Sequence, residues 1–187
     1  MRVLGIDPGK TIGLCVYDTV LRKVMDATQV HTVGEAHREI TRMAFVDQFK
    51  MYAIERPRIY SKGGGEIADT LEQFGALWVV CTRFAAAMPS EWLPRVPGAY
   101  RVTAGPTPVW ALERRAVLGE LSSQLGTQVK GDAGVWTALC DLHGGKGIAD
   151  QKQTKKLPQG PLGALAGMPH ARAALAVAYV AGALEGK

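Results

Sequence analysis

The stretch Arg2-Val3-Leu4-Gly5-Ile6-Asp7-Pro8-Gly9-Lys10-Thr11-Ile12-Gly13-Leu14-Cys15-Val16-Tyr17 decides how this chain is read. Val3, Leu4 and Ile6 form the apolar run expected of a strand buried on both faces, and Leu14 to Tyr17 form a second. Pro8, Gly9 and Gly13 turn the chain between the two. Asp7 ends the first run. A carboxylate at the inner end of a core strand is costly unless a metal ion or a hydrogen-bond network compensates it. Asp7 is therefore a candidate metal ligand. The simpler alternative is an aspartate that merely starts the Asp-Pro-Gly turn.

The same logic recurs further along. Met51-Tyr52-Ala53-Ile54 is an apolar run that ends in Glu55, immediately before the basic, glycine-rich segment Arg56 to Gly65. Two acids at two strand ends can meet at one edge of a mixed sheet, where open α/β sheets place their sites. Alternatively, Glu55 pairs with Arg56 or Arg58 at the surface.

Composition narrows the class. A chain of 187 residues is long enough for one well-buried domain and has no need of two. No stretch approaches the roughly 20 continuous apolar residues of a membrane span, and the amino terminus lacks a secretory pattern. Cys15, Cys81 and Cys140 are far apart and lack metal spacing, so they read as reduced packing residues. The formal net charge of +5 hints at an anionic partner.

The first two strands predict a hairpin, with Val24 to Val30 as a third strand. Gly34 to Gln48 reads as a helix whose apolar face is Ala36, Ile40, Met43, Ala44 and Phe45. A long helix is expected from Glu66 to about Phe84, with Ile67, Leu71, Phe74, Leu77, Val80 and Cys81 inward, and a strand from Phe84 to Met88. The proline-rich stretch 89–110 is left unassigned. A helix is expected from about Val109 to Leu125, irregular chain over 141–168, and an alanine-rich helix docked on the sheet from His170 to Leu184.

The ordered set Gly5-Ile6-Asp7-Pro8-Gly9, Ile54-Glu55 and Pro169-His170-Ala171-Arg172-Ala173 resembles the RuvC family of Holliday junction resolvases, within the RNase H-like superfamily. Ile54-Glu55-Arg56-Pro57 and Pro89-Ser90-Glu91-Trp92 favour a phage-encoded type. The resemblance spans residues 1–92 and 145–184, and 94–140 is read as an insertion. It implies an α/β, RNase H-like domain with a central mixed sheet of about five strands and helices on both faces. The activity implied is that of a divalent-metal-dependent endonuclease that nicks opposing strands of a four-way DNA junction. It would act as a homodimer, in the cytoplasm of a bacterial or phage-infected cell, without a nucleotide cofactor or a membrane. Two ions, Mg²⁺ or Mn²⁺, would be held by Asp7, Glu55 and two residues of the last helix, His170 and position 173. His170 by itself would otherwise read as a helix cap or a surface residue, and a general acid/base role is a second option.

Position 173 departs from the family. Members carry aspartate there, and this chain has Ala173. Losing a carboxylate beside a phosphate could cost on the order of 10²-fold or more in rate. The reading is an inactivated Asp-to-Ala variant made to hold uncut DNA. The alternatives are a natural pseudo-nuclease and an active enzyme with an altered metal set.

Around the acids, Arg56, Arg58, Tyr60, Lys62, Lys152, Lys155 and Lys156 are candidate DNA contacts, as is Lys146. Lys152 is favoured for the scissile phosphate and Tyr60 for base stacking. Such lysines are otherwise ordinary solvated surface. Leu71, Phe74 and Trp78 are a candidate dimer interface or ordinary core. Rival functions are a nuclease on flaps, other branched DNA or RNA–DNA hybrids, and a non-catalytic junction-binding protein. A third is an ATPase of the actin and sugar-kinase class, for which 187 residues leave little room.

Overall fold

A computed structural model describes residues 1–57, 65–84, 93–102, 107–143, 162, 165 and 167–186. Its sheet has seven strands: β1 (Arg2–Asp7), β2 (Ile12–Asp18), β3 (Lys23–Val30), β4 (Met51–Arg56), β5 (Leu93–Val96), β6 (Ala99–Val102) and β7 (Val109–Glu113). They lie in the order β3-β2-β1-β4-β7-β6-β5. The three central strands, β1, β4 and β7, run parallel, and antiparallel strands flank them on both sides. Two of the seven come from the proline-rich stretch. Pro94 sits in the edge strand β5, where a missing N–H costs least, and Gly98 supplies the positive φ of 84° that the Pro97-Gly98 turn needs.

Among the described residues, five helices cover the sheet: α1 (Val33–Asp47), α2 (Gly65–Phe84), α3 (Arg114–Leu125), α4 (Gly131–Leu142) and α5 (Pro169–Glu185). Alternation along the strands divides the core in two. Leu4, Ile6, Leu14, Val16, Tyr52 and Ile54 pack with Ile40 and Met43 of α1 and Leu77 and Cys81 of α2. On the other face, Val3, Cys15, Met51, Ala53, Trp110 and Leu112 meet α3, α4 and α5. All three cysteines are buried and free, as packing residues should be.

Three expectations need correction. Residues 109–113 are strand β7, not the start of a helix, and only Arg114 begins α3. Phe45 is exposed, because the inward arc of α1 is centred on Ala36, Ile40 and Met43, with Val33 and Ala44 at its margin. Phe84 is the last residue of α2 rather than the start of a strand, and 85–88 lies outside the described residues. Leu71, Phe74 and Trp78 are half-buried; Phe74 stacks on Trp78 at 6.0 Å and both pack on the core of their own chain. Among the described residues, no helix is long and apolar enough to cross a membrane.

Candidate active site

Sheet register brings the two acids together. β1 and β4 pair in parallel with Ile6 opposite Ile54, so Asp7 and Glu55 each stand one residue further on, at neighbouring strand ends. β7 continues the row, with Leu112 opposite Glu55, and its chain passes directly into α3 at Arg114. The carboxyl ends of three parallel strands thus form one edge that carries two acids and a guanidinium.

The last helix reaches this edge because two glycines let it. A Cβ at Gly5 would lie 1.9 Å from the Ala174 carbonyl oxygen, and one at Gly13 would lie 2.1 Å from that of His170. With only hydrogen there, α5 lies directly against β1 and β2, and small residues at Ala171, Ala174 and Ala178 complete the close approach. Gln29 of β3 fixes the helix start: its Oε1 accepts hydrogen bonds from the His170 and Ala171 amides at 2.8 and 3.4 Å. Gln73 of α2 accepts from the Gly9 amide at 3.1 Å and steadies the turn after Asp7.

His170 is then brought to Asp7, with Nδ1 3.0 Å from Oδ2. Burial raises the Asp7 carboxyl above its ordinary value, against the lowering effect of that hydrogen bond. The same bond raises His170, against its own desolvation. Glu55 is pushed up to about 7, first by burial and then by the negative charge of Asp7. Arg114 opposes this, with Nη1 3.4 Å from Glu55 Oε2. The other guanidinium arm of Arg114 bonds to Asp132 in the first turn of α4.

Two crowded, desolvated carboxylates and an imidazole are a donor set suited to a hard or borderline divalent ion such as Mg²⁺ or Mn²⁺. Glu55 held near neutrality by its neighbours is what such an ion would relieve. These three side chains are the donors the edge offers such an ion. Among the described residues, no three acid, histidine or cysteine side chains already surround a common point. Ala173, one turn beyond His170 and half-buried, offers no donor.

Arg56, adjacent to Glu55 in the strand, packs over the Tyr100 ring at 4.9 Å and lies 4.0 Å from Glu113. Arg58, Tyr60, Lys62, Lys146, Lys152, Lys155 and Lys156 lie outside the described residues. The sequence reading missed Arg114, Asp132, Gln29 and Gln73. Arg114 in particular reads in sequence as one more charge on a solvated helix, and only the β4–β7 pairing sets it beside Glu55.

No protein-family model matches this chain, and no curated protein matches it in sequence. Solved structures do. RuvC of Thermus thermophilus in complex with a Holliday junction substrate superposes with a TM-score of 0.55 at 19% identity, over 96% of this chain and 91% of that one. A second Thermus thermophilus RuvC structure gives 0.54 at 20% identity, over 96% and 92%. At that identity the likeness is one of architecture: the chain has the α/β, RNase H-like fold of RuvC.

Proposed function

We propose that this chain is a divalent-metal-dependent endonuclease of four-way or otherwise branched DNA, with a site left incomplete at position 173. The observation that carries the reading is the meeting of Asp7, Glu55 and His170 at one strand-end edge, in a fold shared with a protein solved on a Holliday junction substrate.

Asp7, Glu55 and His170 would hold the ion. When bound, it would polarise the attacking water and the scissile phosphate. Asp7 and Glu55 stand at the ends of strands whose cores are fully buried, which fixes the backbone that carries both carboxylates. His170 Nδ1 would hydrogen-bond Asp7 Oδ2, 3.0 Å away, and orient that carboxylate. Its own position is fixed by Gln29 and by the tight seat of α5. The methyl group of Ala173 can neither hold an ion nor move a proton, so cleavage by this chain is expected to be weak or absent. Arg56, Arg58, Tyr60, Lys62, Lys152, Lys155 and Lys156 are proposed to neutralise the DNA backbone, and a homodimer to set two such sites on opposite strands.

The test is binding and cleavage of a labelled four-way junction beside linear duplex and flap controls, with Mg²⁺ or Mn²⁺, for this chain and for Ala173→Asp. Selective junction binding by both, with symmetric cleavage by Ala173→Asp, is expected. A second reading, a junction-binding protein without catalysis, is favoured by Ala173 itself. It predicts the same binding with no cleavage by either form. Equal affinity for duplex and junction would refute both.

A further inference from the structure

The site carries a cation of its own. Arg114 opens α3 at the end of β7, beside Glu55 in the parallel β4–β7 pair. Its Nη1 lies 3.4 Å from Glu55 Oε2, and its Nη2 bonds to Asp132 Oδ1. The Arg114 side chain is one-quarter exposed, whereas Glu55 beneath it is 17% exposed and Asp132 above it 93%. The guanidinium is therefore sandwiched between a buried acid and an outer one, at the surface of the catalytic edge. Both contacts use one N–H each, and a guanidinium has five, in a fork that matches phosphate as well as carboxylate.

The position of this charge matters because of what the last helix lacks. With alanine at 173, the edge offers an ion Asp7, Glu55 and His170 and no fourth donor from the last helix. A phosphate approaching Asp7 and Glu55 still needs a second positive charge to offset its repulsion by the acids. We infer that Arg114 is that charge: a guanidinium anchored between Glu55 and Asp132 that contacts the DNA phosphate where a second metal ion would otherwise sit. The inference rests on the nuclease reading above and specifies how this chain's site meets its substrate. Asp132 acts through Arg114, as its positioning residue.

Mn²⁺ titration, followed by the spin-resonance signal of the free ion, and junction binding by fluorescence anisotropy in EDTA together test it. One Mn²⁺ per chain is expected. Arg114→Ala should bind Mn²⁺ about tenfold more tightly at a pH above the titration of Glu55, because a competing cation is gone. It should bind the junction about tenfold more weakly, with the salt dependence reduced by about one phosphate contact. Arg114→Lys keeps the charge and should restore the salt dependence but not the full affinity. Asp132→Asn should weaken junction binding in the parent and have no effect on top of Arg114→Ala. Two Mn²⁺ ions bound per chain with Arg114 in place would overturn the inference. So would an unchanged salt dependence in Arg114→Ala, with the parent still binding the junction selectively. A parent that fails to prefer the junction sinks the functional reading instead.

Discussion

Asp7 and Glu55 stand one strand apart on the same edge, yet the protein compensates them differently. Asp7 is met by an imidazole at 3.0 Å, a group that can give up its proton. Glu55 is met by a guanidinium at 3.4 Å, a group with donors and no acceptor. The partner of Asp7 can therefore become a ligand itself, whereas the partner of Glu55 has no lone pair to offer a metal ion. An entering metal ion can recruit His170 as a ligand once the ring is neutral, whereas at Glu55 it must compete with Arg114. In the proposed site the two partners have separate duties: His170 joins Asp7 and Glu55 around the ion, and Arg114 faces phosphate.

The largest expected effect comes from completing the set around the ion. Ala173→Asp puts a carboxylate one turn from His170 and should raise the rate of junction cleavage by at least about 10²-fold, measured with labelled strands under single-turnover conditions. An unchanged rate would mean that the missing acid does not limit the site.

Glu55 is probed by pH. Its folded pKa of about 7 lies above the ordinary 4.5, so the folded state prefers the protonated acid. Stability from this group is complete below about pH 4.5 and is lost as pH rises through about 7. Glu55→Gln should therefore stabilise the metal-free protein at pH 8 by up to about 3 kcal/mol and change little at pH 4, as read from denaturant midpoints. Metal binding must expel the same proton, so Mn²⁺ affinity should climb with pH until about 7 and then level off. An affinity flat across that range would remove Glu55 from the ion's ligands.

Smaller effects should separate the two partners again. Gly13→Ala forces a methyl group against the His170 carbonyl and should cost about 1–3 kcal/mol of stability in calorimetry, while lowering Mn²⁺ affinity through His170. Gln29→Ala removes the acceptor at the start of α5 and should cost about 1 kcal/mol. If either change weakened junction binding at Arg114 as much as Mn²⁺ binding, the division of duties would fail.

The legible parts of this molecule are those where local pattern and tertiary role agree. β1, β2 and β4 are buried on both faces, so their apolar runs and the acids that end them stand out in sequence. His170 was reachable only through the family resemblance, since a histidine after Pro169 also reads as a cap. β7 was misread because Val109-Trp110-Ala111-Leu112-Glu113 runs into Arg114-Arg115-Ala116-Val117 with no glycine or proline between, and good helix formers blur the boundary. That error concealed Arg114: a residue placed in mid-helix is not expected at a strand end. The β5–β6 hairpin had a usable signal in Pro97-Gly98, outweighed by the prolines around it.

The most direct test of the account is anomalous diffraction from crystals equilibrated with Mn²⁺ above the titration of Glu55. One peak per chain is expected, ligated by Asp7, Glu55 and His170, with Arg114 beside Glu55 and still bonded to Asp132. No ion at the edge shared by Asp7 and Glu55, or an ion bound there without either carboxylate, would contradict it.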